Sequence, residues 1–260
     1  MSTSKLSDYR FDGKVVLITG AGQGIAAVAA GALAACGAQV GVGDLVPERA
    51  DATALRIHEA GGAALALPFD VGQEQQVENA VKALVDRYGK IDVLVNAAGS
   101  YGQAFRKTHE TPVDEWEHVF ASNVRGTFLC CKAVLPKMVA AGGGRIVNVS
   151  SNAGRSVSPL LGCSYTAAKS AVIGISRHLS REYASSGILV NTLCPGPVDG
   201  ARVANLLQDT YPSDELAKSI PIGRLLTNED IVAGLLFLAS DSCQAMTGAV
   251  LDVSGGLILA

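Results

Sequence analysis

The segment VVLITGAGQGIA, residues 15–26, joins a run of apolar and β-branched residues to a turn with three glycines and then to a stretch of small residues. A continuous apolar run is typical of a strand buried on both faces. Glycines in such a turn allow the backbone to approach a bound pyrophosphate at the N-terminus of the next helix. The segment predicts the first strand and helix of a parallel sheet, and by itself it fits either a phosphate cradle or a plain glycine-rich turn.

The same order of short apolar runs and longer helical segments continues to the end of the chain. It predicts a doubly wound α/β fold, with a parallel sheet flanked by helices. The 260 residues, of which 48% are hydrophobic, suit one domain spanning 1–260. We expect seven strands, at residues 15–19, 39–43, 64–68, 93–96, 145–149, 189–193 and 250–253.

One long helix is predicted between the fourth and fifth strands. Thr111 is expected to cap it and Pro112 to occupy its first turn. The helix should run to about Ala141, where the glycines at 142–144 end it.

Composition excludes several classes of function. A formal net charge of -3 offers no basic field for nucleic acid, and no apolar run reaches the length of about 18 residues that suggests a membrane span. The polar stretch 1–10 does not resemble a signal peptide, so we expect a cytoplasmic protein. Six cysteines without a C-x-x-C pair and four scattered histidines predict reduced thiols and no metal site.

Acidic residues follow the second and third strands. Asp44, 24 residues after Gly20, is placed to accept hydrogen bonds from an adenosine ribose and to repel a 2′-phosphate, which favours NAD over NADP. Arg49 lies nearby and is expected a turn into the next helix. Asp70, followed by Val71, is interpreted either as a contact to adenine or as a helix cap.

Tyr165 and Lys169 stand four residues apart, so their side chains project from one face of a helix. A nearby cation favours the phenolate and lowers a tyrosine pKa from its ordinary value of about 10. A phenol with a lowered pKa can exchange a proton with an alcohol. The pair alone is weak, because many surface helices carry the same spacing.

Five signals together resemble the short-chain dehydrogenase/reductase family over nearly the whole chain. They are the glycine turn, Asn96-Ala97-Ala98-Gly99 after the fourth strand, Asn123 in the long helix, Ser151 after the fifth strand, and Tyr165 with Lys169. The resemblance implies a Rossmann fold and an NAD-dependent enzyme that interconverts a secondary alcohol and a ketone by hydride transfer. It implies that Tyr165 is the general acid/base, that Lys169 binds the nicotinamide ribose, that Ser151 holds the substrate oxygen, and that Asn123 supports a proton relay through water. Ser150 is the alternative to Ser151, which the family spacing to the tyrosine favours.

The resemblance also implies a cofactor site along the strand ends, with the backbone of Val198 bonding the nicotinamide carboxamide. The implied cofactor-binding residues are Gly20, Gln23, Gly24, Ile25, Asp44, Leu45, Asp70, Val71, Asn96, Ala97, Ala98, Gly99, Tyr165, Lys169, Pro195, Gly196 and Val198. Two positions depart from the family pattern, since Ala26 stands where a third glycine is usual and Gly200 where a threonine is common. Both departures are expected to weaken cofactor binding.

Three functions stay open. The first is an alcohol dehydrogenase acting on a small molecule. The second is a 3-oxoacyl thioester reductase acting on a carrier protein or CoA, with Arg177 and Arg181 near its entrance. The third is a non-catalytic nucleotide-sensing or scaffold protein, which the two departures support.

The substrate side is less defined. Apolar residues at 101, 105, 157, 160, 161, 206 and 207 suggest an apolar or mixed substrate, and Arg155 either meets a substrate carboxylate or is solvated. By resemblance, residues 199–221 form a mobile lid with short helices. The apolar tail at 257–260 is expected to be buried against another subunit, in a homotetramer or less often a dimer.

Overall fold

The structure is a computed structural model that describes residues 9–158, 160–207 and 213–259. Its seven strands form one parallel sheet in the order β3-β2-β1-β4-β5-β6-β7, which confirms the predicted doubly wound fold. The strands are β1 (Val15–Thr19), β2 (Gln39–Asp44), β3 (Ala63–Pro68), β4 (Val93–Asn96), β5 (Gly144–Val149), β6 (Ile188–Pro195) and β7 (Val250–Val253). The helices are α1 (Gly24–Ala35), α2 (Pro47–Glu59), α3 (Glu74–Tyr88), α4 (Val113–Phe120), α5 (Gly126–Ala141), α6 (Cys163–Tyr183), α7 (Ala201–Leu207), α8 (Ser213–Ser219) and α9 (Asn228–Ala239).

The predicted bounds of β1, β4 and β7 are confirmed, and the other strands extend beyond the prediction. The largest difference is in β6, which continues to Pro195 because Cys194 and Pro195 pair with Asp252 and Val253 of β7. Likewise β2 includes Asp44, which is in register with Pro68 of β3. These polar and proline residues belong to the sheet because a neighbouring strand continues beside them.

Two apolar layers cover the sheet. Alternate residues of β1 show the division, since Val16 and Ile18 pack with α1, α2 and α9, whereas Val15 and Leu17 pack with α3 and α5. Each strand is therefore buried on both faces, which explains its continuous apolar sequence.

The predicted long helix is in fact three segments. Between α4 and α5, residues Ala121–Arg125 form a π-helical turn. The predicted threonine cap is wrong, because Pro112 is the N-cap residue of α4 and the Thr111 hydroxyl donates to the Lys107 carbonyl. The predicted end of the helix agrees with the structure, where Gly142 adopts a left-handed φ of 77° after Ala141.

From β1 the chain adds strands β2 and β3 on one side, and from β4 it adds the later strands on the other side. The helices that follow β1 and β4 therefore lie on opposite faces of the sheet. A crevice opens at the carboxyl ends of strands at such a point, and ligands of doubly wound folds bind there. No helix in the described ranges has the length and hydropathy needed to span a membrane.

Candidate active site

The turn after β1 is locked to the loop after β4. The Thr19 hydroxyl accepts hydrogen bonds from the backbone N–H groups of Ala97 and Ala98, both at 3.1 Å. Gly20 has a φ of 69°, and a Cβ there would lie 2.8 Å from the Ala98 Cα. Glycine is therefore required at this position by both conformation and space. Thr19 was not among the predicted site residues, although its place at the end of β1 is visible in the sequence.

Asp44 is held at the edge of the glycine turn. Its carboxylate accepts hydrogen bonds from the N–H groups of Gly22 at 2.8 Å and Val46 at 3.0 Å, and the residue is only 8% exposed. A Cβ on Gly22 would lie 2.6 Å from the Asp44 Oδ2. The turn thus brings a fixed negative charge beside the position that the sequence predicted for the ribose.

The N-terminus of α1 is suited to a phosphate. Gln23 is its N-cap residue but makes no side-chain capping bond, and the first turn contains no acidic residue. The first N–H groups of the helix, with their partial positive charge, can therefore bind an anion. Ala26, one of the two departures from the family pattern, is buried in the apolar core, so its methyl group is accommodated.

Asp70 does not cap a helix. α3 begins at Glu74 with Gln73 as its N-cap residue, while the Asp70 Oδ1 accepts a hydrogen bond from the Gly72 N–H at 2.8 Å. This contradicts the helix-cap interpretation, because the acid instead stabilises the turn before the helix. Val71 is buried against Gly126, where an added Cβ would lie 2.6 Å from the valine side chain. Leu45, next to Asp44, is exposed.

The loop after β6 begins at the carboxyl edge of the sheet. The Gly196 N–H donates to the Val253 carbonyl at 2.9 Å, which ties the start of the loop to β7. Val198 pairs with Leu226 in a parallel bridge whose two hydrogen bonds use the Pro197 carbonyl and the Asp199 N–H. In that geometry the polar groups of Val198 itself point away from Leu226. This orientation is compatible with the predicted bond to a carboxamide.

Tyr165 and Lys169 lie in the first two turns of α6 and are almost fully buried, with exposures of 7% and 5%. The Lys169 Nζ lies 5.7 Å from the centre of the Tyr165 ring. It donates a hydrogen bond to the Val149 carbonyl, at the end of β5, at 3.0 Å. The ammonium is therefore held next to the phenol by the sheet, as the spacing of the two residues predicted.

The two serines after β5 have different partners. The Ser150 hydroxyl donates to the backbone carbonyl of Lys169 at 2.7 Å, so it joins the sheet to α6. The Ser151 hydroxyl accepts the Ala153 N–H at 3.1 Å and donates to the Asn152 side chain at 3.0 Å, both within its own turn. Ser150 has a structural role, which favours Ser151 as the substrate-binding serine.

Asn123 lies in the π-helical turn. Its side-chain N–H groups donate to the carbonyls of Ser100 and Val119, both at 2.8 Å. Its Oδ1 atom is buried and has no hydrogen-bond partner within the described residues, and a Cβ on Gly99 would overlap it. A buried amide oxygen of this kind usually binds an ordered water. The arrangement is compatible with the predicted water relay.

Asn96, assigned to cofactor binding by resemblance, also has a structural role. Its side-chain amide donates to the Asn148 Oδ1 at 2.9 Å and thereby joins β4 to β5. Its Oδ1 is buried and unpaired within the part of the chain that the structure describes.

Arg155 fits neither alternative proposed from the sequence. Its Nε lies 3.2 Å from the Asp252 Oδ2, and the two side chains are 21% and 14% exposed. The pair joins the loop after β5 to strand β7. Its partner is 97 residues away, and nothing in the local sequence indicates such a pairing.

Two further observations concern possible metal ligands and thiols. Among the residues described, no cluster of three His, Cys, Asp or Glu side chains is suited to a metal ion. Burial raises the pKa of Cys194 to about 11 and that of Cys131 to about 12, so both thiols are neutral near pH 7.

Known proteins resemble this chain over nearly its full length. A family model described as enoyl-(acyl carrier protein) reductase matches residues 20–258. D-threitol dehydrogenase of Mycolicibacterium smegmatis is 39% identical over 249 residues, covering 96% of this chain and 94% of that protein. Cis-4-hydroxycyclohexanecarboxylate dehydrogenase of Sinomonas cyclohexanicum is 40% identical over 246 residues, covering 95% and 97%. The crystal structure of a gluconate 5-dehydrogenase from Burkholderia cenocepacia in complex with NADP and tartrate is similar, with a TM-score of 0.90 at 33% identity, covering 97% of this chain and 98% of that one.

Proposed function

This chain belongs to the short-chain dehydrogenase/reductase family, and we propose that it is an NAD(H)-dependent enzyme that interconverts a secondary alcohol and a ketone. It is an oxidoreductase acting on CH–OH groups, as the names of its dehydrogenase relatives indicate, and the NADP complex of the gluconate 5-dehydrogenase supports a nicotinamide dinucleotide as cofactor. The observation that carries the proposal is the buried Tyr165 with the Lys169 ammonium beside its ring.

Each candidate catalytic residue has a role in this proposal. The nicotinamide, when bound, supplies the hydride acceptor or donor for the carbinol carbon. Tyr165 takes a proton from the substrate hydroxyl or returns one to the ketone oxygen. Lys169 stabilises the phenolate electrostatically. The Ser151 hydroxyl turns its hydrogen from the Asn152 side chain to the substrate oxygen and donates a hydrogen bond to it. The buried Asn123 Oδ1 holds a water through which the proton reaches solvent.

Asp44 supports NAD as the preferred cofactor. The carboxylate is fixed beside Gly22 by two backbone hydrogen bonds, so it cannot easily move away from a 2′-phosphate. Arg49 is the third residue of α2 and is exposed. The gluconate dehydrogenase relative was crystallised with NADP, so the preference of this chain has to be measured.

The thioester reductase alternative gains no support from the positions of its two arginines. Arg177 and Arg181 are exposed on α6, 12 and 16 residues beyond Tyr165. At about 1.5 Å per residue they lie roughly 18–24 Å along the helix from the tyrosine. They are therefore badly placed to bind a carrier at the entrance of the site.

The test is a screen of secondary alcohols and ketones with NAD(H) and NADP(H), followed at 340 nm, together with Tyr165→Phe. We expect turnover by the wild type, and we expect Tyr165→Phe to lower kcat at least 1,000-fold, roughly the loss of a general acid/base, while NADH still binds by fluorescence. Tyr183→Phe, at the other end of α6, is the matched control. NADH binding without turnover on any substrate would instead support the sensor or scaffold function.

Assembly, lid and location stay predictions. Leu259 is 88% exposed in the single chain, so an apolar side chain is available for another subunit to cover, as a homotetramer would require. Helices α7 and α8 lie within the predicted lid, whose residues 208–212 are outside the described residues. Ala260 of the apolar tail is also outside them. Sedimentation equilibrium would determine the number of subunits. A single domain over 1–260 and a cytoplasmic location are likewise proposed.

A further inference from the structure

Phe105 has an unfavourable backbone conformation. Its φ is 57°, and it is the one non-glycine residue with a positive φ among those described. In this region the Cβ crowds the backbone, and a bulky residue here is a genuine outlier. The side chain is also 44% exposed, so burial of the ring compensates only part of the cost. Glycine or asparagine would adopt the same backbone with less strain.

Contacts on both sides hold the strained residue in place. Ala104 pairs with Leu161 in an antiparallel bridge, and the Phe105 N–H donates to the Leu160 carbonyl at 2.8 Å. On the other side the Arg106 guanidinium lies 2.7 Å from the Glu115 carboxylate, in a pair that is mostly buried. The surrounding structure thus fixes the conformation at Phe105.

The position of Phe105 relates it to the candidate active site. Leu160 and Leu161 lie on the segment that connects Ser151 to Tyr165, just before α6. Leu160 belongs to a buried apolar cluster with Val203 and Leu207 of α7 and with Leu216 of α8. Phe105 is therefore attached to an apolar segment that lies between the two proposed catalytic residues in the chain and beneath the predicted lid.

We propose that Phe105 is a specificity-determining residue whose ring contacts an apolar substituent next to the carbinol carbon of the substrate. Strain that persists on an exposed residue, and that neighbours hold in place, is typical of functional positions. The substrate class that follows is secondary alcohols with an alkyl or alicyclic substituent, in preference to polyols. This inference rests on the proposed alcohol dehydrogenase function.

The test uses 2-propanol, 2-butanol, 2-pentanol and 2-hexanol as probes, which differ by one methylene each. Burying a methylene contributes about 0.8 kcal/mol, or roughly fourfold in kcat/KM, so the wild type should prefer 2-hexanol to 2-propanol by about 60-fold. In Phe105→Gly this ratio should fall by about tenfold or more, mainly through KM, and Phe105→Leu should recover part of it. The melting temperature of Phe105→Gly should not fall, because glycine accepts the positive φ.

Leu55→Ala is the matched control, since Leu55 is an exposed apolar residue on α2, away from this loop. It should leave the ratio between the two alcohols unchanged. An unchanged ratio in Phe105→Gly would overturn the inference. An equal loss of activity on every alcohol, together with a lower melting temperature of the variant, would also overturn it, because this result would indicate that Phe105 only stabilises the loop. If the wild type oxidises none of the alcohols and reduces no ketone, the proposed function fails and the inference with it. Turnover with an unchanged ratio removes the inference alone.

Discussion

Replacing each of the two adjacent serines after β5 by alanine separates a structural hydroxyl from a catalytic one. Ser150→Ala removes the 2.7 Å hydrogen bond to the Lys169 carbonyl, but the Lys169 Nζ keeps its own bond to the Val149 carbonyl. Ser151→Ala removes the hydroxyl that is proposed to donate to the substrate oxygen. The first change should therefore act on stability and the second on both stability and kcat.

The size of each effect follows from these contacts. The Ser151 hydroxyl also bonds within its turn, to the Ala153 N–H and the Asn152 side chain, so each variant loses local hydrogen bonding. A buried hydrogen bond contributes about 1 kcal/mol, which corresponds to about 2–4 °C in Tm for a domain near this size. Both variants should show that loss. Loss of a donor to a developing oxyanion lowers kcat by about 100-fold or more, so Ser151→Ala should lose that activity, whereas Ser150→Ala should stay within about threefold of the wild type.

We would measure kcat from initial rates at 340 nm with the best alcohol from the screen. Thermal unfolding of the same preparations gives Tm. Ser180→Ala is the matched control, because Ser180 is a buried serine on α6 that bonds the Arg177 carbonyl at 2.7 Å, far along the helix from Tyr165. It should lower Tm without changing kcat. If Ser150→Ala lost 100-fold in kcat and Ser151→Ala kept full activity, the assignment of the two serines would have to be exchanged.

Two further predictions concern charge. Asp44→Asn removes the negative charge and leaves one oxygen to accept from the N–H groups of Gly22 and Val46, so some loss of kcat/KM with both cofactors is expected. The ratio of kcat/KM for NADP to that for NAD should nevertheless rise about tenfold. An unchanged ratio would remove Asp44 from the cofactor preference. In the capping box of α9, the hydrogen bond from Arg224 lowers the pKa of Asp230 to about 2, below its ordinary 3.8. Because the folded-state pKa is depressed, this stabilisation is present in full above about pH 4 and is lost as the pH falls toward 2. Asp230→Asn should therefore lower the free energy of unfolding in urea by about 1 kcal/mol at pH 7, after allowance for the partial exposure of the pair. At pH 3, between the two pKa values, the loss should be roughly half as large. Equal losses at both pH values would contradict the ionic origin.

Much of the fold was predictable because its signals are local. Apolar runs, the glycine turn and the alternation of strands with helices predicted all seven strands and their parallel arrangement. The errors lay at the ends of elements and at the π-helical turn that divides the predicted long helix. Strand ends were missed where pairing with a neighbouring strand extends the ladder, as at Cys194 and Pro195. The residues of the candidate site were likewise predicted by spacing and resemblance, and their roles stay proposals.

The sequence by itself determined what depends on near neighbours in the chain. The spacing of Tyr165 and Lys169 places both on one helix face, and the glycines after β1 permit a turn that other residues cannot adopt. Only the tertiary structure showed that Ser150 bonds the Lys169 carbonyl, paired Arg155 with Asp252, and placed Asn123 in a π-helical turn. It also revealed the strained backbone of Phe105. The features of Ser150, Arg155 and Phe105 depend on contacts between segments far apart in the chain. The periodicity of a single sequence contains no information about which distant groups meet.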